Sequence, residues 1–238
     1  MANIQALNPH QHSNIRINSD FADALGHNKG AVMVMPSELR EVQREYPILF
    51  RKHPETGRLF INALLGFTEH ENLYLTKNNQ WQADYVPMAF RKGPFLIGFK
   101  SEDKKKTPII SIDMDDPRVD EKGKECLFVD GKEQSDYLQT VNDILYQMHE
   151  NNATLIAMIN TFNELNLIEP LTLNINLHNG EEVNFSGAYT IAEEKLLALT
   201  SSELEKLNSQ GFLSAAYYIS GSLNNVNKLI KFKQAQAS

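Results

Sequence analysis

Leu171-Thr172-Leu173-Asn174-Ile175-Asn176-Leu177-His178-Asn179-Gly180-Glu181-Glu182-Val183-Asn184-Phe185 is the stretch that decides the fold class. Leu171, Leu173, Ile175 and Leu177 alternate with polar residues, and Val183 and Phe185 resume the alternation. Asn179-Gly180 between them suits the left-handed backbone of a tight two-residue turn. A β-hairpin is therefore expected over 171–185. The flanks follow another period. From Ser135, the apolar residues Tyr137, Leu138, Val141, Ile144, Leu145 and Met148 recur at helical spacing. A second helix is expected over 153–167, burying Leu155, Ile156, Ile159, Phe162 and Leu165. Beyond the hairpin, Thr190-Ile191-Ala192-Glu193 and Thr200-Ser201-Ser202-Glu203 both read as capping boxes. Gly211 ends the short helix that follows the second, and a last amphipathic helix is expected over 213–231.

The first 130 residues read as strand-rich. Extended segments are expected at 14–18, 31–35, 48–50, 59–67, 72–76, 81–90, 95–99 and 108–114, separated by turn-rich stretches such as His53-Pro54-Glu55-Thr56-Gly57. Ser37 reads as the cap of a short helix that Pro47 stops. No repeat and no biased linker divides the chain. The expectation is one compact α+β unit over 1–238, strand-rich over 1–130 and helix-rich with one hairpin over 131–238.

Of the 238 residues 42% are hydrophobic and 22% charged, the balance of an ordinary globular protein. Lys and Arg number 23 against 30 Asp and Glu, a net charge of −7 that gives no general attraction to phosphate backbones. The basic runs, Lys104-Lys105-Lys106 and Lys228/Lys231/Lys233, are too short for a nucleic-acid footprint, so no nucleic acid is expected as partner. The single cysteine, Cys126, cannot close an intramolecular disulfide and reads as a buried structural thiol. No apolar run approaches the ~20 residues that a membrane-crossing helix needs. The start of the chain lacks a basic-then-apolar leader, and the expected location is the cytoplasm.

The common chemistries find little here. Gly26-His27-Asn28-Lys29-Gly30 is not a phosphate-cradling turn and reads as a loop. Ser220-Gly221-Ser222 is no nucleophile elbow, and its small residues read as close helix packing. Asp113, Asp115, Asp116 and Asp120 resemble a calcium loop, but Lys124 stands where a bidentate Glu is needed. His53-Pro54-Glu55 has the spacing of two ligands of an iron facial triad, with His70, His149 or His178 as the third. The segment also carries Pro and Gly and reads first as an exposed turn with a solvated histidine. A metal enzyme using His53 and Glu55 is the alternative reading; the main one expects no catalytic residue and no cofactor.

The densest unusual segment is Trp81-Gln82-Ala83-Asp84-Tyr85-Val86-Pro87-Met88-Ala89-Phe90-Arg91-Lys92-Gly93-Pro94-Phe95. Its aromatic residues and Arg91 have two readings. One is core packing with a structural arginine. The other is a recognition surface framed by Trp81, Tyr85, Phe90 and Arg91, with the prolines breaking strand alternation to bring Arg91 round.

Taken together, Glu45-Tyr46-Pro47-Ile48-Leu49-Phe50, Trp81 with Tyr85-Val86-Pro87, Arg91-Lys92-Gly93-Pro94-Phe95, Leu127-Phe128, Tyr137-Leu138, Gly187-Ala188-Tyr189-Thr190-Ile191 and Gly211-Phe212-Leu213 resemble the bacterial SapC family, from about residue 28 to the end. Some members read Arg-Arg-Tyr-Pro-Phe at 91–95, so the chain resembles the Gly-bearing branch. The resemblance implies surface-layer gene clusters and neighbourhoods of TonB-dependent outer-membrane receptors, cupin-like proteins and flavin-dependent halogenases. It supplies no catalytic residues. The expectation it supports is a non-catalytic binding or accessory protein, with a cupin-like protein, halogenase or receptor system as protein partner.

Overall fold

The computed structural model describes residues 2–102, 105–176, 180 and 182–237. Lys104, His178 and the expected turn residue Asn179 lie outside the described residues. Two compact units are present, each assembled from two separated stretches: Met1–His27 with Met88–Glu150, and Asn28–Pro87 with Asn151–Ser238. The compositional shift near residue 130 is not the boundary between them. Strands and helices are numbered along the whole chain.

In the first unit β1 (Ile4–Ala6), β7 (Lys105–Asp113) and β6 (Phe95–Glu102) form an antiparallel sheet in the order β1-β7-β6. A second small sheet places β2 (Arg16–Ile17) between β8 (Val119–Asp120) and β9 (Glu125–Cys126), and β10 (Phe128–Val129) pairs with β11 (Glu133–Gln134). Short helices α1 (Pro9–His12) and α3 (Met88–Arg91) complete it with the start of α4 (Asp136–Glu164). Phe95, Ile112, Leu127, Leu138, Val141 and Leu145 make its core, so the helical stripe predicted from residue 135 is the buried one. The expected break between two helices near residue 150 does not occur. Glu150-Asn151-Asn152 contains no Gly or Pro, and Asn costs a helix under about 1 kcal/mol per residue, too little to stop a helix held by packing.

The second unit is built on a five-stranded antiparallel sheet, in the order β12 (Ile168–Asn176), β13 (Glu182–Ile191), β4 (Ile48–Lys52), β5 (Leu59–Leu64), β3 (Ala31–Met33). The hairpin strands β12 and β13 pair as the alternation predicts. Between them, Leu171 opposes Ala188 and Leu173 opposes Phe185, so β13 carries one extra residue. Gly187 sits there at φ +76, the signature of a bulge with glycine in the left-handed region. One face of the sheet packs on helices. Phe50 meets Phe162 of α4 edge-on, with ring centres 6.3 Å apart, and Phe162 meets Phe212 of α7 (Phe212–Ser222). Where β13 no longer pairs with β4, the buried Ser222 hydroxyl accepts the Ile48 N–H at 2.8 Å. Gly221 beside it faces open space, so close packing at that place rests on Ser222 and not on the glycine.

Helix α6 (Ser201–Ser209) starts on the predicted Thr200/Glu203 capping box. The other capping box does not form. Thr190 is inside β13, and α5 (Glu193–Leu197) begins after Ala192 without a side-chain cap. The helix expected from Ser37 is a 3₁₀ turn, Pro36–Glu38, running into α2 (Leu39–Val42), with Glu38 and not Ser37 bonding back to the start. The last expected helix is α7, a 3₁₀ turn at Leu223–Asn225, and α8 (Val226–Ala237). No helix among the described residues is long and apolar enough to cross a membrane.

Candidate functional site

The sheet face opposite the helices carries an open cleft of about 710 Å³. Phe60, Asn62 and Leu64 alternate along β5, so all three point to that face. Arg51 is the register partner of Phe60, and Ala31 that of Leu64, which places both on the same side. The bulge at Gly187 shifts the alternation of β13 and turns Phe185 toward Arg51, whose guanidinium carbon lies 5.7 Å from the ring centre. Residues 66–70 form the rim. Gly30 binds this loop on both sides: its N–H donates to the Glu69 carbonyl at 2.8 Å, and its carbonyl accepts from Leu65 and Gly66. A Cβ on Gly30 would lie 1.9 Å from the Thr68 carbonyl oxygen. The Glu71 carboxylate caps the loop at the Phe67 N–H and is tied to Lys233 of α8 at 2.5 Å.

Two features of this cleft are chemical. Lys29 and Arg51 line it with Glu69 as the one carboxylate among the described residues, in a protein whose net charge is −7. Asn62, only 6% exposed, sets its side-chain amide in the floor of the cleft. That amide can offer a ligand two N–H donors and a carbonyl acceptor. Nothing in the sequence reading pointed to Arg51, Asn62 or Phe185. The visible signal was Asn62 itself, a single polar residue inside Leu59-Phe60-Ile61-Asn62-Ala63-Leu64.

The segment 81–91 is not a strand. Only an isolated bridge, Leu75 to Trp81, is extended, and α3 begins right after Pro87. Pro87 lacks a ladder N–H but suits the approach to a helix. Trp81 and Tyr85 lie in the second unit, Phe90 and Arg91 in the first. Trp81 donates its indole N–H to the Tyr46 hydroxyl at 2.7 Å and stacks on Tyr74. Tyr46 donates onward to the Tyr85 carbonyl, and Tyr85 donates to the Glu38 carboxylate at 2.9 Å. Tyr74 donates to the Glu45 carbonyl at 2.5 Å, and Glu45 pairs with Lys228. Burial pushes the Tyr46 and Tyr74 hydroxyls far above the ordinary tyrosine value, so both remain neutral donors.

Phe90 is buried against His27, with ring centres 5.3 Å apart. Arg91 is exposed, and both line a recess of about 210 Å³ with Asp20, Arg118 and Tyr137. Gly93, at φ +61, would bring a Cβ within 3.0 Å of the Tyr137 hydroxyl, so this chain needs glycine at that place. Burial raises Tyr137 to about 12. Arg118 grips Asp116 bidentately at 2.8 and 2.6 Å. Burial pushes the Asp116 carboxyl up, but the Arg118 side-chain and backbone hydrogen bonds outweigh it and hold the group below the ordinary value of 3.8. A carboxyl depressed in the folded state contributes stability that is present above its unfolded value and lost as pH falls through the folded one. Acid titration of stability is thus expected to be steeper below about pH 4 for the parent than for Asp116→Asn, measured by denaturant midpoints at each pH.

His53 and Glu55 lie on an exposed turn, where the Glu55 N–H donates to His53 Nδ1 at 3.3 Å. His70 is an exposed rim residue of the sheet cleft, and His149 meets Phe99. Among the described residues no group of three or more His, Cys, Asp or Glu side chains could hold a metal. Cys126 is half-buried on β9, not fully buried as expected.

The fold and the cleft define a mixed α+β protein with an open, partly cationic recess on the free face of its larger sheet. The chain belongs to the SapC family, whose model matches residues 7–229. No curated protein and no solved structure matches it.

Proposed function

We propose that this protein is a non-catalytic binding protein, accessory to a bacterial surface-layer or TonB-dependent outer-membrane uptake and modification system. The sheet cleft carries the binding reading: it is of small-molecule size, built on rigid strands, and floored by the Asn62 side chain between Phe60 and Leu64. Family membership supports the setting, with a cupin-like protein, a flavin-dependent halogenase or an outer-membrane receptor as protein partner. The binding reading is tested with a set of neutral, cationic and anionic fragments observed by ligand NMR. Fragments are expected to bind the parent and to be lost on Thr68→Trp, which fills the cleft from its exposed rim. An absence of binders, or binders indifferent to that substitution, would overturn it.

The segment 81–91 divides its work under this proposal. Trp81 and Tyr85 brace the Tyr46 network, while Arg91 is the exposed residue of the segment that a protein partner would meet. Trp81→Ala is expected to cost about 2 kcal/mol or more in stability. Arg91→Ala is expected to melt like the parent but to weaken capture of the cupin-like, halogenase or receptor partner in pull-down. If Trp81→Ala melts unchanged, or Arg91→Ala captures normally, this division is wrong.

A further inference from the structure

The sheet cleft also specifies the kind of molecule it takes. We infer that it is a site for a small organic anion, a carboxylate or phosphate borne on an apolar or aromatic body with an amide-like group between; this rests on the cleft being a binding site.

Three observations converge. Arg51 is half-buried, with its guanidinium carbon 5.7 Å from the centre of the Phe185 ring. Neither Arg51 nor Lys29 has a carboxylate partner among the described residues, whereas Lys52, one residue on from Arg51, turns to the other face of the sheet, its ammonium 4.7 Å from the Tyr189 ring. A planar fork with free N–H donors matches the paired oxygens of a carboxylate or phosphate, and Lys29 adds charge without demanding geometry. Phe60 beside Arg51 and Phe185 beneath it offer apolar surface to the rest of the ligand. Asn62 lies one alternation further along β5 from Phe60, toward Leu64 and Ala31. Its amide can both donate and accept, which a ligand amide satisfies reciprocally. Anion site, apolar surface and amide site therefore adjoin one another in the cleft. Glu69 on the rim works against a second anionic group at that end.

The probes are hippurate (benzoylglycine), phenyl phosphate, inorganic phosphate and the neutral hippuramide, titrated into the full chain at low salt by calorimetry or NMR shift mapping. Saturable binding is expected for hippurate, phenyl phosphate or both, and which of them binds identifies the head group. Hippuramide and inorganic phosphate are expected to bind at least tenfold more weakly than the better aromatic anion. Arg51→Gln is expected to weaken that anion at least tenfold, and Asn62→Leu to weaken hippurate severalfold. Added salt should weaken binding, as charge recognition at an open site requires. Lys29→Gln, at an exposed position lining the cleft, gives a second charge deletion whose fold is not in question, and it should weaken the anion as well. If hippuramide binds as well as hippurate, or both charge deletions leave the anion unaffected, the ligand class is wrong. Neutral fragments seated in the cleft while both aromatic anions fail would overturn the anion assignment and leave the binding reading standing. Failure of every probe and every fragment would overturn both.

Discussion

Gly30→Ala is expected to destabilise the protein by about 3 kcal/mol, a fall in melting temperature of roughly 6–12 °C for a chain of this length. The new Cβ would lie 1.9 Å from the Thr68 carbonyl oxygen, and that atom is backbone, which no side-chain rotation can move away. Gly30 is also bonded through its N–H to Glu69 and through its carbonyl to Leu65 and Gly66, so relief of the clash costs hydrogen bonds on both sides. The loop that must move is the rim of the cleft, and anion binding should fall with stability. Gly221→Ala is the control. Its Cβ meets nothing within 4 Å inside α7, and alanine should hold or raise stability by about 1 kcal/mol. Thermal melts of both variants check this; equal melting of Gly30→Ala and the parent would mean that the rim is not packed as described.

Glu38→Ala is expected to cost a similar amount, about 3 kcal/mol. Glu38 is only 2% exposed, yet it carries a carboxylate bonded to two donors, the Met35 N–H at 2.9 Å and the Tyr85 hydroxyl at 2.9 Å. Truncation leaves both donors without this acceptor in a buried place. Tyr85 is in turn joined through its carbonyl to Tyr46, and Tyr46 to Trp81, so the loss propagates into the aromatic cluster. Glu38→Gln keeps one acceptor oxygen and should lose about half as much, while Tyr85→Phe should lose about 1 kcal/mol. Denaturant melts of the three variants check the order; Glu38→Ala as stable as Tyr85→Phe would contradict it.

The features legible in the sequence were those that a local period or cap encodes. The alternation of Leu171, Leu173 and Ile175 gave the hairpin strands, and Thr200 with Glu203 gave the start of α6. The helical stripe from Tyr137 to Leu145 marked a core face. The errors arose where a local preference was outweighed. Asn151-Asn152 favours a break, but α4 runs through it, because packing of its apolar stripe outweighs a small propensity cost. Segment 81–90 has strand composition, but Asp84 and Pro87 and the bonds from Tyr46 hold it in turns. The cleft was hidden for a different reason. Arg51, Asn62 and Phe185 meet through the register of β4 on β5 and a one-residue bulge at Gly187, and neither follows from any single stretch of sequence.

The most direct test of the central claim is a crystal structure of the protein soaked with hippurate or phenyl phosphate at saturating concentration. The expected result is electron density in the sheet cleft, with the anionic head on the Arg51 guanidinium and the ring against Phe60 or Phe185; with hippurate, the amide should meet Asn62. Density confined to the recess beside Arg91, or a cleft left empty by both compounds, would contradict the account.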